Sequence, residues 1–177
     1  MEIGRSDAVS SGWTLGEFNA ADAESTRTML LSCLDVRQWA DELVDQRPYS
    51  STGSLIAAAN QASAGLIWAH VAGALDRHPR IGEQKTVAAR TASESAWSAS
   101  EQAGVKDAQA QHLAEGNRAY ERRFGHLFLI CAYGLSGEQI LADLRKRLTN
   151  DAQTERQIVI DQLRRIAELR LRKAVHE

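Results

Sequence analysis

The sequence is sparing with the residues that stop helices and with those that build special sites. It has two prolines, Pro48 and Pro79, and is rich in Ala, Leu, Glu, Gln and Arg, a balance that favours helix over strand. Its two cysteines, Cys33 and Cys131, lie far apart in apolar surroundings with neither CxxC nor metal-ligand spacing. A disulfide between them stays open on sequence grounds, and two buried thiols in a reducing compartment are the plainer expectation. No apolar run approaches the ~20 residues that span a bilayer. Met1–Gly12 is polar, unlike a signal peptide, and Lys173-Ala-Val-His-Glu177 is not a peroxisomal address. A cytoplasmic protein without membrane contact is the expectation. Net charge is only -2, which gives no electrostatic reason to bind nucleic acid.

What is present reads as one domain, since 177 residues suffice for a single core. Residues 1–12 read as a loose N-terminal tail before a domain over 13–177. Asn19 and Asp22 resemble a helix start, with Asn19 as cap, on a helix that carries Met29, Leu30 and Leu31 and runs to about Cys33. A second helix over Val36–Asp45 stops before Arg47-Pro48, because proline disfavours helical geometry in the preceding residue. Ser51 opens a third with Leu55 and Ala57–Ala59, and Gly65 separates it from a helix through Leu66, Trp68, Val71 and Leu75. His78-Pro-Arg-Ile-Gly82 breaks the pattern as a loop. Further helices are expected over Ser93–Ala103 and Asp107–Arg123. After the apolar run Phe124–Ala132, Ser136 and Gln139 have capping-box spacing ahead of a stripe of Ile140, Leu141, Leu144 and Leu148. Asn150 or Asp151 caps a last helix with Ile158, Leu163, Ile166 and Leu169 inward. No strand alternation stands out. The expected fold is all-α, a compact single-domain bundle of roughly eight helices.

Periodicity names no reaction. The five histidines, His70, His78, His112, His126 and His176, form no HExxH pair, and there is no Gly-rich phosphate loop or GxSxG elbow. His78 is unusual in its position, at a helix-to-loop break stiffened by Pro79 and freed by Gly82, where a histidine suits proton transfer near neutral pH. On those residues alone, a surface histidine capping the preceding helix is the plainer reading. On a helix, Ser98, Glu101 and Gln102 would share one face, offering a hydroxyl, a carboxylate and an amide to a urea-like group, or simply to solvent. Arg170 lies in an Arg/Glu-rich helix where most arginines form surface ion pairs of little consequence.

Taken in order, several short elements resemble the family of 2-oxo-4-hydroxy-4-carboxy-5-ureidoimidazoline (OHCU) decarboxylases. They are Phe18-Asn19, Trp39, Arg47-Pro48-Tyr49, His78-Pro-Arg-Ile-Gly82, Ser98 to Gly104 and Asn117-Arg-Ala-Tyr120. Arg123-Phe-Gly-His-Leu-Phe128, Ile140-Leu141, Leu148-Thr-Asn150, Glu155 and Leu169-Arg-Leu171 follow. The agreement runs from about Leu15 to Leu171, with Glu83–Trp97 variable in the family. His126 stands where many relatives carry an aromatic residue, and Leu127 where many carry proline.

The resemblance implies an all-helical homodimer that needs no cofactor and no metal, decarboxylating OHCU to (S)-allantoin in urate catabolism. It also implies residue roles. His78 would be the catalytic acid-base group, handling protons at the hydroxyl-bearing carbon, with Pro79 beside the substrate. Ser98, Ala99, Ser100, Glu101 and Gln102 would bind substrate, Glu101 holding the ureido N–H groups. The backbone of Phe128, Leu129, Ile130, Cys131 and Ala132 would meet ring polar atoms, and Arg170 an oxo group or anionic edge. Cofactor independence has a chemical reason: an imine beside the departing carboxylate can take its electrons, so the substrate is its own electron sink. The alternative is a non-enzymatic helical interaction module, which would explain the helices but not a loop histidine converging with a polar cluster.

Overall fold

The computed structural model describes residues 12–82 and 107–177. Eight α-helices and one 3-10 turn account for most of them. They are α1 (Leu15–Ala20), α2 (Ala23–Cys33), α3 (Arg37–Asp45), α4 (Thr52–Ala64), α5 (Trp68–Val71), the 3-10 turn Gly73–Arg77, α6 (Asp107–Phe124), α7 (Gly137–Arg147) and α8 (Ala152–Ala174). The all-α expectation holds. The only strands among the described residues are two short ones, β1 (Trp13–Thr14) and β2 (Val175–His176), paired in parallel with Trp13 opposite Val175. They tie the start of the described chain to its end, and Gly12 lies against the last turn of α8 at Ala174. Residues 1–11, most of the expected tail, and the expected helix Ser93–Ala103 fall outside the described residues. No helix described is long and apolar enough to cross a membrane.

Local chemistry sets most helix starts. Asp22, Ser51, Ser136 and Asp151 each accept hydrogen bonds from first-turn amides, satisfying donors that have no partner inside the helix. Ser136 and Gln139 form the expected capping box, and Asp151 rather than Asn150 caps α8. Asn19 differs from expectation. It lies inside α1, and its amide group brackets Tyr49, donating to the carbonyl and accepting from the N–H at 2.9 Å each. Arg47 closes the same corner by donating to the Phe18 and Ala21 carbonyls and to the Thr26 hydroxyl. The Phe18-Asn19 and Arg47-Pro-Tyr49 elements are thus two halves of one clamp. The helix expected through Leu66–Leu75 is also shorter. After α5 the chain tightens into the 3-10 turn at Gly73, a residue that weakens a continuing helix.

Among the described residues, the buried hydrophobic side chains form two clusters. The larger joins α1–α5 to α8 through residues such as Phe18, Leu30, Trp39, Leu43, Leu55 and Leu163. The smaller unites α6 and α7 around Leu113, Tyr120, Ile140 and Leu144. At Gly116 α6 comes so close to Leu144 of α7 that any Cβ there would collide with it. Between the clusters runs the segment 127–132. Leu127, Leu129 and Cys131 pack on the larger cluster, and Phe128, Ile130 and Ala132 on the smaller. This alternation is that of an extended chain, whose successive side chains point to opposite sides.

Candidate active site

His78 follows the 3-10 turn, its N–H donating to the Leu75 carbonyl at 2.9 Å. It is buried, at 8% exposure, which removes the reading of a surface histidine. The rest of its loop is fixed to α6. Arg80 grips Glu121 through two nitrogens, at 2.5 and 2.8 Å. The Asn117 amide donates to the Ile81 carbonyl at 2.9 Å. The Ile81 side chain joins the smaller cluster, and Gly82 turns the chain with φ +83°, a conformation open to glycine. Arg80, Ile81 and Gly82 therefore have structural work, and what they hold in place is His78 and the half-buried Pro79.

Arg170 is likewise no surface arginine. It is 3% exposed on the face of α8 that carries Ile166, Ala167 and Leu171. A guanidinium that far from water needs polar company, because burying an unpaired charge is costly.

The segment from Phe128 to Ala132 is held by a buried polar network. Arg147 donates to the Leu129 carbonyl at 2.7 Å and to Glu155 Oε1 through Nε and Nη2 at 2.8 and 2.6 Å. Its guanidinium also lies 4.6 Å from the centre of the Phe128 ring. Glu155, fully buried, accepts further from the Tyr120 hydroxyl and from Asn150 Nδ2. Burial, with the Glu155 carboxylate next, raises Tyr120 far above the usual phenol range, so it stays a donor. From the other helix, Gln162 Oε1 accepts from the Cys131 N–H at 2.8 Å. His126 sits half-buried among aromatic rings, 4.7 Å from Trp68 and 5.5 Å from Tyr120, with Nδ1 3.1 Å from the Leu127 carbonyl.

Ile81 and the side chains of Phe128, Ile130 and Ala132 share one cluster, so the histidine loop and the apolar segment rest on the same support. Arg170 stands on α8, on the side of the larger cluster. Ser98, Ala99, Ser100, Glu101 and Gln102 lie outside the described residues. A separate cleft of about 250 Å³ between α4 and the end of α8 is lined by Thr52, Leu55, Arg172 and Glu177 among others, and contains none of the expected site residues. Cys33 and Cys131 are not disulfide-bonded. No group of three or more potential metal ligands occurs among the described residues.

The family model described as OHCU decarboxylase matches residues 19–172, a span that includes every candidate site residue. The chain belongs to the OHCU decarboxylase family. Among curated proteins, it is similar to the 2-oxo-4-hydroxy-4-carboxy-5-ureidoimidazoline decarboxylase of Haloferax volcanii, 26% identical with 89% of this chain and 94% of that protein covered. The protein of the same description from Amia calva is 39% identical over 77 residues, 42% of this chain and 44% of that protein. The uric acid degradation bifunctional protein PucL of Bacillus subtilis is 27% identical, with 93% of this chain but only 33% of that protein covered. The chain thus spans less than half the length of two of these relatives and nearly all of the third. A crystal structure of OHCU decarboxylase in the presence of (S)-allantoin shares the fold, with a TM-score of 0.66, 23% identity, and 85% of this chain and 96% of that one covered. So does a structure of (S)-allantoin synthase, with a TM-score of 0.64, 16% identity, and 92% and 54% covered.

Two residues of this region escape sequence reasoning. Arg147 ends the basic run Arg145-Lys-Arg147, which by itself reads as cations at a helix C-terminus. Gln162 is one more polar residue on a long polar helix. Only their partners, 18 and 31 residues away in sequence, distinguish them.

Proposed function

We propose that this chain decarboxylates OHCU to (S)-allantoin without a cofactor, as a cytoplasmic homodimer of the helical domain 13–177 acting in urate catabolism. The observation that carries the reading is a buried histidine, His78, on a loop pinned to α6 at Arg80 and Ile81, in a chain whose family match extends over residues 19–172. Family membership favours the enzyme over an interaction module, since a module gives no reason to bury and fix that histidine.

The chemistry asks for orientation and for controlled protons. The bond from the carboxylate to the hydroxyl-bearing carbon breaks as carbon dioxide leaves. Its electron pair becomes a double bond to the ureido-bearing carbon, and the former imine nitrogen takes up a proton. The resulting enol gives up its hydroxyl proton while the ureido-bearing carbon gains one, which fixes the handedness of allantoin. His78 would manage these protons from one side, with Pro79 as neighbour. Glu101 would hold the ureido N–H groups, with Ser98, Ala99, Ser100 and Gln102 around the same end of the substrate. The Phe128–Ala132 backbone would bind ring polar atoms, and Arg170 would stabilise negative charge.

Freshly generated OHCU tests this reading. The protein should convert it to (S)-allantoin at a rate unchanged by exhaustive chelation and dialysis. Failure to accelerate OHCU loss would refute the activity. Activity abolished by removing a metal or organic molecule, and restored by returning it, would refute the cofactor-free mechanism.

A further inference from the structure

We infer that Arg147 and Gln162 are positioning residues that hold one edge of the 128–132 backbone so that its opposite edge can meet the substrate. The inference rests on the activity proposed above and says how one part of that site is built.

In an extended chain the N–H and C=O of one residue leave on the same edge, and those of its neighbour leave on the other. Side chains of residues 127–132 alternate between the two clusters, as an extended chain requires. Leu129 and Cys131 therefore present their backbone groups to one edge, and Phe128 and Ile130 to the other. Among the described residues, two long-range side-chain anchors reach this segment, and both fall on the first edge. Arg147 donates to the Leu129 carbonyl and Gln162 accepts from the Cys131 N–H. They arrive from different helices, α7 and α8. Arg147 is itself immobilised by the buried carboxylate of Glu155 and by the Phe128 ring. The Ala132 carbonyl is taken by the following turn, accepting from the Leu135 N–H. The backbone groups of Phe128 and Ile130, with the Ala132 N–H, are then the ones this arrangement turns toward ring polar atoms of the substrate. Neither Arg147 nor Gln162 needs to touch the substrate to matter, since a displacement of ~1 Å in a positioning element can cost ~10²-fold in rate.

Gln162 is half-buried, which makes it the better residue to change. Gln162→Leu keeps bulk and removes the acceptor, whereas Gln162→Glu keeps an acceptor at the same reach. Arg147→Lys shortens the fork and serves as the second variant. Each would be followed by thermal melting, by kcat and KM for OHCU, and by the optical purity of allantoin. The inference expects Gln162→Leu to melt cooperatively with kcat/KM reduced ~10–10²-fold and with part of the product racemic, as enol escapes to protonate in solution. Gln162→Glu should recover most of the rate and the optical purity, a rescue that a merely structural role would not give. A folded Gln162→Leu with wild-type kcat/KM and wild-type optical purity would overturn the inference. If the wild-type protein itself produced no (S)-allantoin, the proposed activity would fall and this inference with it, so the wild-type control separates the two failures.

Discussion

His126 is a titratable ring in an aromatic setting. Its ring occupies a place among Trp68, Tyr120 and Phe124 that an aromatic hydrocarbon would suit. Burial, the largest cause, holds its pKa below the ordinary histidine value, against a smaller opposing effect of the Leu127 carbonyl. Above pH ~6.5 the ring is neutral in folded and unfolded chains alike, so it adds no pH dependence there. As pH falls below that, the unfolded chain takes up the proton more readily, and stability declines until pH has passed the lower folded value. His126→Phe should remove that decline. Urea midpoints of wild type and variant should differ more at pH 5 than at pH 7.5, with wild type losing ground. A pH-independent difference between the two would contradict this account of the ring.

The helix starts were legible because capping is local. Ser136 and Gln139 stand three residues apart in the sequence, and the reciprocal bonds they form need nothing else. Ser136→Ala should cost about 1 kcal/mol, read as a lower urea midpoint, with kcat/KM for OHCU nearly unchanged because the bond it removes lies outside the 128–132 segment. A fall in kcat/KM greater than the loss of folded protein explains would show that α7 positions the site more directly. Elements whose meaning lies in distant partners were read less well. Asn19 looked like a cap because asparagine caps helices, yet it is used by Tyr49, thirty residues on. The helix expected through Leu75 ended early because Gly73 and the approach to Pro79 weaken it, which periodicity in the apolar residues does not register. At the site, the loop of His78 and the apolar run were legible as short motifs. That Arg80 and Asn117 hold the loop, or that Arg147 and Gln162 hold the run, depends on which helices meet in space.

The molecule as a whole places these pieces where two hydrophobic clusters abut. The turn before His78 sends Ala74 and Leu75 into the larger cluster, and three residues after the histidine Ile81 enters the smaller one. The 127–132 segment divides its side chains between the same two clusters. Arg170 stands on α8, whose inner face builds the larger cluster. Loop and segment are thus anchored on both sides, which suits a reaction whose demands are orientation and one-sided proton delivery. His78 is proposed to deliver those protons, and His78→Asn removes that capacity, since asparagine keeps a polar side chain of similar reach but does not titrate. Single-turnover rate and optical activity of the allantoin formed from fresh OHCU should be measured together on the folded variant. The rate should fall ~10²–10⁴-fold below wild type, with product approaching the racemate expected from uncatalysed decay. Near wild-type formation of pure (S)-allantoin by His78→Asn would contradict that proposal.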